Sequence, residues 1–477
     1  MRGWLIFGLA LMFASPLGAA EPPIAPVTTH HQVVVGGQRV DYDATFAEQV
    51  LSDRSGKPQA TISGTAYVRT GVANPSARPV TFAFNGGPGA SSSPLHFSAF
   101  GPRLVERRGK GESPSIRDNP QSLIDITDLV FIDPVGTGFS RVLEGGDGQP
   151  YWGVDGDAKA VLGFIRDWLK RNGRIGSPVY IAGESYGGTR LAEMLGSAED
   201  LNLAGLIFIS PALADLSDES DLGYVFALPS MAVAAVQNGK VGARGRSVEA
   251  IFGGARDFAM GDYLRALVQG SRIPDSERDR IAARMSELIG LPAPFIAGHN
   301  LRIDAETFRK NLREKDGLVV GRLDTRVTAP IPKKVPDRPS AANDPALGLG
   351  ASNVIVSDAI GAYMRNELRV PTTEPYISLT LDVNFKWTWP RTRGLGAPSY
   401  TANISKIMAD KPRLRLLLIG GYYDLAVPLL APRYALDHAW LPKDRVRMVA
   451  LETGHSAFEG DEGRTAMKQL LGRFIAN

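Results

Sequence analysis

Four short, unbroken apolar runs constrain the fold most strongly: VTFAFN at 80–85, DLVFID at 128–133, PVYIAG at 178–183 and GLIFIS at 205–210. A strand with one wet face alternates apolar and polar residues. Runs this short without alternation fit strands covered on both faces, the situation of a parallel sheet. Between the second and third runs, DAKAVLGFIRDWLKRNG (157–173) sets Val161, Leu162, Ile165, Trp168 and Leu169 at helical spacing and stops at Gly173. Upstream, QVVVGGQRVDYDATF (32–46) and ATISGTAYVRTG (60–71) read with period two, which predicts an antiparallel entry to the sheet.

Beyond residue 212 the pattern changes. Helical stretches at 255–270 and 276–290 dominate, and a Pro-rich segment follows at 328–345. The alternation of elements then resumes through 403–412, RLRLLLIGGYYD (413–424), DRVRMVALETGH (444–455) and a terminal helix at 465–476. The expected class is therefore α/β, a mostly parallel central sheet interrupted by a helical cap: core residues 21–211, cap 212–375, core 376–477. At 477 residues and 44% apolar composition the chain can bury a core of that size.

Composition excludes several functions. With 53 basic and 50 acidic residues spread without runs, no nucleic-acid partner is expected. The absence of cysteine rules out disulfides, thiolate metal sites and a Cys nucleophile. No motif requires a cofactor or a metal, and none specifies an oligomeric state. The N-terminal MRGWLIFGLALMFASPLGAA has the form of a signal peptide, residues 1–20, implying export to the periplasm or outside the cell. Its apolar stretch falls short of the about 18–20 residues needed to span a bilayer, so no stable membrane anchor is expected.

Gly183-Glu184-Ser185-Tyr186-Gly187 fits G-x-S-x-G, with PVYIAG as the preceding strand and TRLAEMLGSA (189–198) as the following helix. Glycines two positions either side let a strand turn sharply into a helix and project the serine. A serine hydroxyl needs a base and an orienting acid, expected in the chain order Ser, acid, His after later strands. Of six histidines, His30, His31 and His96 precede the serine, His299 lies in the helical region and His438 ends a helical stretch. His455, directly after the strand-like VRMVALE, meets both conditions. Asp424, ending RLRLLLIGGYYD, is the matching acid; Asp437 and Asp444 flank a helical stretch, where capping is the ordinary role.

The loop FNGGPGASSS (84–93) follows the first core strand and matches neither phosphate-binding pattern, G-x-x-x-x-G-K-[ST] or G-x-G-x-x-G. It reads instead as an oxyanion loop whose amides, with that of Tyr186, face a substrate carbonyl. A third loop, DPVGTGFS (133–140), fits a tight strand exit at least as well as a substrate contact.

Together NGGPG, DPVGTGFS, GESYGG and a late GH, in this order from about 80 to 460, resemble the serine carboxypeptidase family. The resemblance implies the α/β-hydrolase fold with a helical insertion and a peptide substrate cleaved at its C-terminal bond. It places the amides of Gly87 and Tyr186 in the oxyanion hole and assigns Asn85 and Glu184 to the substrate's terminal carboxylate. The sequence departs from the family at Ala83, where a Trp is common, and at Ala99, where a second Glu usually pairs with the residue matching Glu184. GHSAF also replaces the family's GHMVP. Two close carboxyls share a proton, so without the second one Glu184 is expected to be ionised at neutral pH. The same triad would serve an esterase or acyltransferase, and a non-catalytic binding protein could retain the fold.

Overall fold

The computed structural model describes residues 23–106, 114–213, 220–389 and 400–476; the expected leader at 1–20 lies outside them. Nine strands form one sheet: β1 (Val27–Val35), β2 (Gln38–Ser52), β3 (Pro58–Arg69), β4 (Val80–Phe84), β5 (Asp128–Asp133), β6 (Val179–Glu184), β7 (Leu203–Ile209), β8 (Arg415–Gly421) and β9 (Val446–Leu451). Their spatial order is β1-β2-β3-β5-β4-β6-β7-β8-β9. The first three form an antiparallel meander and β3 meets β5 antiparallel. From β5 onward every pairing is parallel.

The segment at 32–46, expected as one strand-like stretch, is instead a hairpin. Gly36 and Gly37 take φ of 56° and 82°, the left-handed pair that a two-residue hairpin turn requires. The strands on either side then pair Val35 with Gln38 and continue to Val27 with Phe46.

The unbroken apolar runs are buried on both faces. Ala83, Phe131, Ala182, Ile207 and Ile419 face one core with the terminal helix Gly460–Ala476, through Met467, Leu471 and Phe474. Phe82, Phe84, Ile181, Phe208 and Leu418 face the other, with Val161, Ile165 and Trp168 of α1 (Val154–Arg171). NISKIMADKP lies largely within a helix, Thr401–Asp410, whose Ile404, Ile407 and Met408 join this second core.

Between β7 and β8 the chain forms helices Asp221–Gln237, Val248–Phe258 and Asp275–Ile289 around an apolar core of their own. Three-residue strands at Leu318–Val320, Thr328–Pro330 and Val354–Val356 pair outside the main sheet. No helix among the described residues is long and apolar enough to cross a membrane.

Candidate active site

The site lies where parallel strands end, at their carboxyl edge. Strand β6 ends at Glu184, and α2 (Tyr186–Met194) begins two residues later. Ser185, between them, has φ 60° and ψ −127°. A non-glycine residue in that region costs on the order of 1–3 kcal/mol and persists only where its surroundings enforce it. Here the enforcement is visible. Ser185 N donates to Ile209 O at 3.0 Å, and Ser185 O accepts from Gly188 N at 2.9 Å and Ala212 N at 3.1 Å. A side chain at Gly183 would strike the Gly187 carbonyl, and one at Gly188 would strike Pro211. The glycines thus fill close approaches that the strained serine depends on.

Strand β8 ends three residues before Asp424, and β9 four residues before His455. His455 Nδ1 lies 2.7 Å from Asp424 Oδ2, an N–H donating to a carboxylate that is fully buried. The other oxygen, Oδ1, accepts from the amides of Ala426 at 2.7 Å and Val427 at 2.9 Å, which fixes the acid's orientation. His455 itself is held by its backbone: N donates to Leu323 O at 2.7 Å, and O accepts from Ser210 Oγ at 2.8 Å. Burial opposes protonation of the ring, but the charge and hydrogen bond of Asp424, with Glu184 adding, outweigh it and raise the pKa above the ordinary 6.5.

The other histidines have structural contacts. His96 is buried, 2.7 Å from the Tyr67 hydroxyl and stacked on Phe97 and Phe131. His299 and His438 each bond a carbonyl four residues back in their own helix.

Ser185, His455, Gly87, Tyr186, Asn85 and Glu184 line one cavity of 1470 Å³, with Asp424 behind His455. Gly86 approaches α2 so closely that a Cβ there would overlap the backbone nitrogens of Tyr186 and Gly187. Gly87 has φ +98°. The Tyr186 amide is the first of α2 and has no intrahelical acceptor, so it is available to a ligand. Gly87 and Tyr186 thus stand on the wall of the cavity that Ser185 also lines.

Asn85 and Glu184 are brought together but their side chains are engaged with the protein. Asn85 Nδ2 donates to Glu184 Oε2 at 2.5 Å, and Asn85 Oδ1 accepts from Leu95 N at 3.1 Å. Glu184 Oε1 accepts from Ser456 Oγ at 2.9 Å. Burial raises the Glu184 pKa, partly offset by His455, Ser456 and Asn85. Burial thus pushes the Glu184 carboxyl in the direction that a second acid beside it would also push. Ala99 is buried in the core, with its carbonyl accepting from Asn119 Nδ2 at 2.9 Å.

Several contributors were not legible from the sequence. The strand Ile377–Thr380 runs over both glycine loops: Thr380 N donates to Gly89 O at 2.8 Å, Ser91 N to Ser378 O at 3.0 Å, and Gly138 and Ile377 exchange bonds of 2.8 and 3.0 Å. Gly138 must be glycine, since a Cβ would overlap the Asp133 carboxylate. The DPVGTGFS turn therefore holds the strand that pins the glycine loop at 84–93. Ser456 stands in the GHSAF stretch, the departure from GHMVP noted above, and that departure was its only available signal. Arg322, from the region between β7 and β8, lines the cavity; its carbonyl accepts from Leu425 N at 2.9 Å, and its charge opposes protonation of His455.

A strained serine at a strand-to-helix turn, an Asp–His pair after later strands and a glycine loop opposite define a protein of the α/β-hydrolase fold. The overall structure is similar to that of the prohormone-processing carboxypeptidase from Saccharomyces cerevisiae, with a TM-score of 0.57 and 14% identity over 91% of both chains. Residues 67–218 match the serine carboxypeptidase family model. Serine carboxypeptidase-like 36 from Arabidopsis thaliana is 34% identical over 159 residues, 31% of either chain. Serine-type carboxypeptidase F from Aspergillus niger is 30% identical over 143 residues, 28% of this chain and 25% of that protein. Each alignment thus spans about a third or less of the curated relative's length.

Proposed function

We propose that the chain is a serine-type carboxypeptidase acting through an acyl-enzyme on Ser185. The observation that carries this reading is the convergence on one cavity of the strained Ser185, the 2.7 Å Asp424–His455 pair and the Gly87 and Tyr186 amides. Ser185 Oγ attacks the scissile carbonyl while His455 Nε2 takes its proton. The oxyanion forms against the Gly87 and Tyr186 amides, His455 returns the proton to the leaving amine, and water then releases the acyl group by the reverse sequence. Asp424 holds the imidazole in register throughout.

Cleavage of a terminal peptide bond requires recognition of a free carboxylate. Glu184 and Asn85 bond each other, while Arg322 lines the same cavity and its charge acts on His455. A cation there favours a terminal carboxylate over an amide. Kinetics on a blocked dipeptide and its C-terminal amide test this, with the free acid expected to be preferred; equal turnover contradicts it.

One observation favours a second reading, an esterase or acyltransferase. The cavity wall is largely apolar, with Phe97, Ile355, Leu379, Leu381, Phe385 and Trp389 available to a bulky acyl group. Turnover of simple acyl esters with no measurable cleavage of the blocked dipeptide would select it.

A further inference from the structure

Beneath the cavity a cation is buried that none of the proposed chemical steps uses. Arg190, on α2, is 1% exposed, and Asp157, on α1, is 2% exposed. Arg190 Nε donates to Asp157 Oδ2 at 2.6 Å, and the Tyr186 hydroxyl donates to the same oxygen at 3.1 Å. Arg190 Nη1 donates to the carbonyl of Asn85 at 2.6 Å. The guanidinium carbon lies 5.2 Å from the ring centroids of both Phe84 and Tyr186.

These contacts select two places in the backbone. The Asn85 carbonyl belongs to the peptide shared with Gly86, immediately before Gly87. Tyr186 carries the other oxyanion donor. A buried ion pair can often be replaced by apolar residues without loss of stability, so burial alone gives no reason for a charge here. What arginine supplies is several donors fixed in one plane, able to hold separate acceptors at a set distance. We infer that Arg190 is a positioning residue that clamps the glycine loop to the nucleophile turn and so fixes the separation of the two oxyanion donors.

This inference rests on the hydrolase reading, and its test separates the two. Arg190→Lys keeps a charge beside Asp157 but cannot reach Asp157 and Asn85 O with the same planar fork. Active sites are counted by fluorophosphonate labelling, which makes kcat independent of the fraction folded. Deleting an oxyanion donor outright costs about 100- to 1000-fold, so misplacing one should lower kcat by about 10- to 100-fold. KM should stay within about twofold, since the interaction operates in the transition state. The acid limb of the kcat/KM profile should keep its midpoint, because the Asp424–His455 pair is untouched.

Tyr186→Phe removes a single hydroxyl and serves where the lysine variant does not accumulate. It should lower kcat in the same manner but less, and the double variant should fall short of the product of the two effects, as for residues acting as one unit. An unchanged kcat per labelled site, even with a lowered melting temperature, would overturn the inference and leave Arg190 a core ion pair. Failure of the unmodified protein to label would instead defeat the hydrolase reading. The crystal structure of Arg190→Lys still decides the inference in that case: it should show Asn85–Gly87 displaced relative to Tyr186, and an unmoved loop refutes the clamp.

Discussion

Ser456 Oγ donates a 2.9 Å hydrogen bond to Glu184 Oε1, joining the residue after His455 to the residue before Ser185. Glu184 is 3% exposed, so an oxygen deprived of this partner is left in a dry environment. Ser456→Ala is therefore expected to destabilise the fold by about 1–3 kcal/mol, the cost of an unsatisfied buried acceptor. Because the lost bond lowers the Glu184 pKa, its removal should drive that pKa further up. Denaturant titration of the variant beside the unmodified protein checks the first expectation, and its pH dependence checks the second.

The raised pKa of His455 gives a pH prediction. Only the neutral imidazole accepts the Ser185 proton, so activity should rise with pH along a limb whose midpoint lies above 6.5. Asp424→Asn removes the charge that outweighs burial, so any residual activity should show its midpoint shifted downward. It should also lose about 10⁴-fold in kcat, as when the imidazole loses its orienting acid. The kcat/KM profiles of both proteins decide the point.

Gly86→Ala places a methyl group against the backbone nitrogens of Tyr186 and Gly187, which cannot swing aside as a flexible side chain would. The glycine loop must then move away from α2, with a loss in kcat of about 100-fold or more, that of a missing oxyanion donor. Steady-state kinetics normalised to labelled serine measures it.

Glu459 lies on the cavity wall four residues after His455, and its pKa is pushed up to about 7 by burial, with the neighbouring Asp324 adding and Arg326 opposing. A carboxyl raised in the folded state contributes stability that is complete below its unfolded value and is lost as pH rises through the folded value. Melting temperature should therefore fall between about pH 4.3, the unfolded value, and pH 7 through this group. Glu459→Gln should flatten that part of the curve, and an unchanged slope would count against it.

The parts of the fold readable in sequence are those whose signals are local. PVYIAG and GLIFIS are unbroken because β6 and β7 are covered on both faces, and Gly183 is required by its close approach to the Gly187 carbonyl four residues on. Asp424 and His455 could be named because each follows its own strand directly. The hairpin at Gly36–Gly37 was legible only in part, since period two continues through both strands and hides the turn between them.

Arg190, Asp157, Arg322 and Ser456 could not be assigned, because each acts through a partner distant in the chain. Asp157 meets Arg190 33 positions later, and Ser456 meets Glu184 across 272. The upward push of burial on the Glu184 pKa was hidden for the same reason. Counting nearby carboxyls in the sequence omits desolvation, which depends on the whole surrounding fold.

Trapping the acyl-enzyme tests the role of Ser185 most directly. A slowly deacylating ester or peptide substrate is mixed with the protein, quenched in acid within the first turnover, digested and analysed by mass spectrometry. An acyl adduct on Ser185, absent from Ser185→Ala along with turnover, is the expected result. Undiminished turnover by Ser185→Ala, or an adduct on another residue, would contradict it.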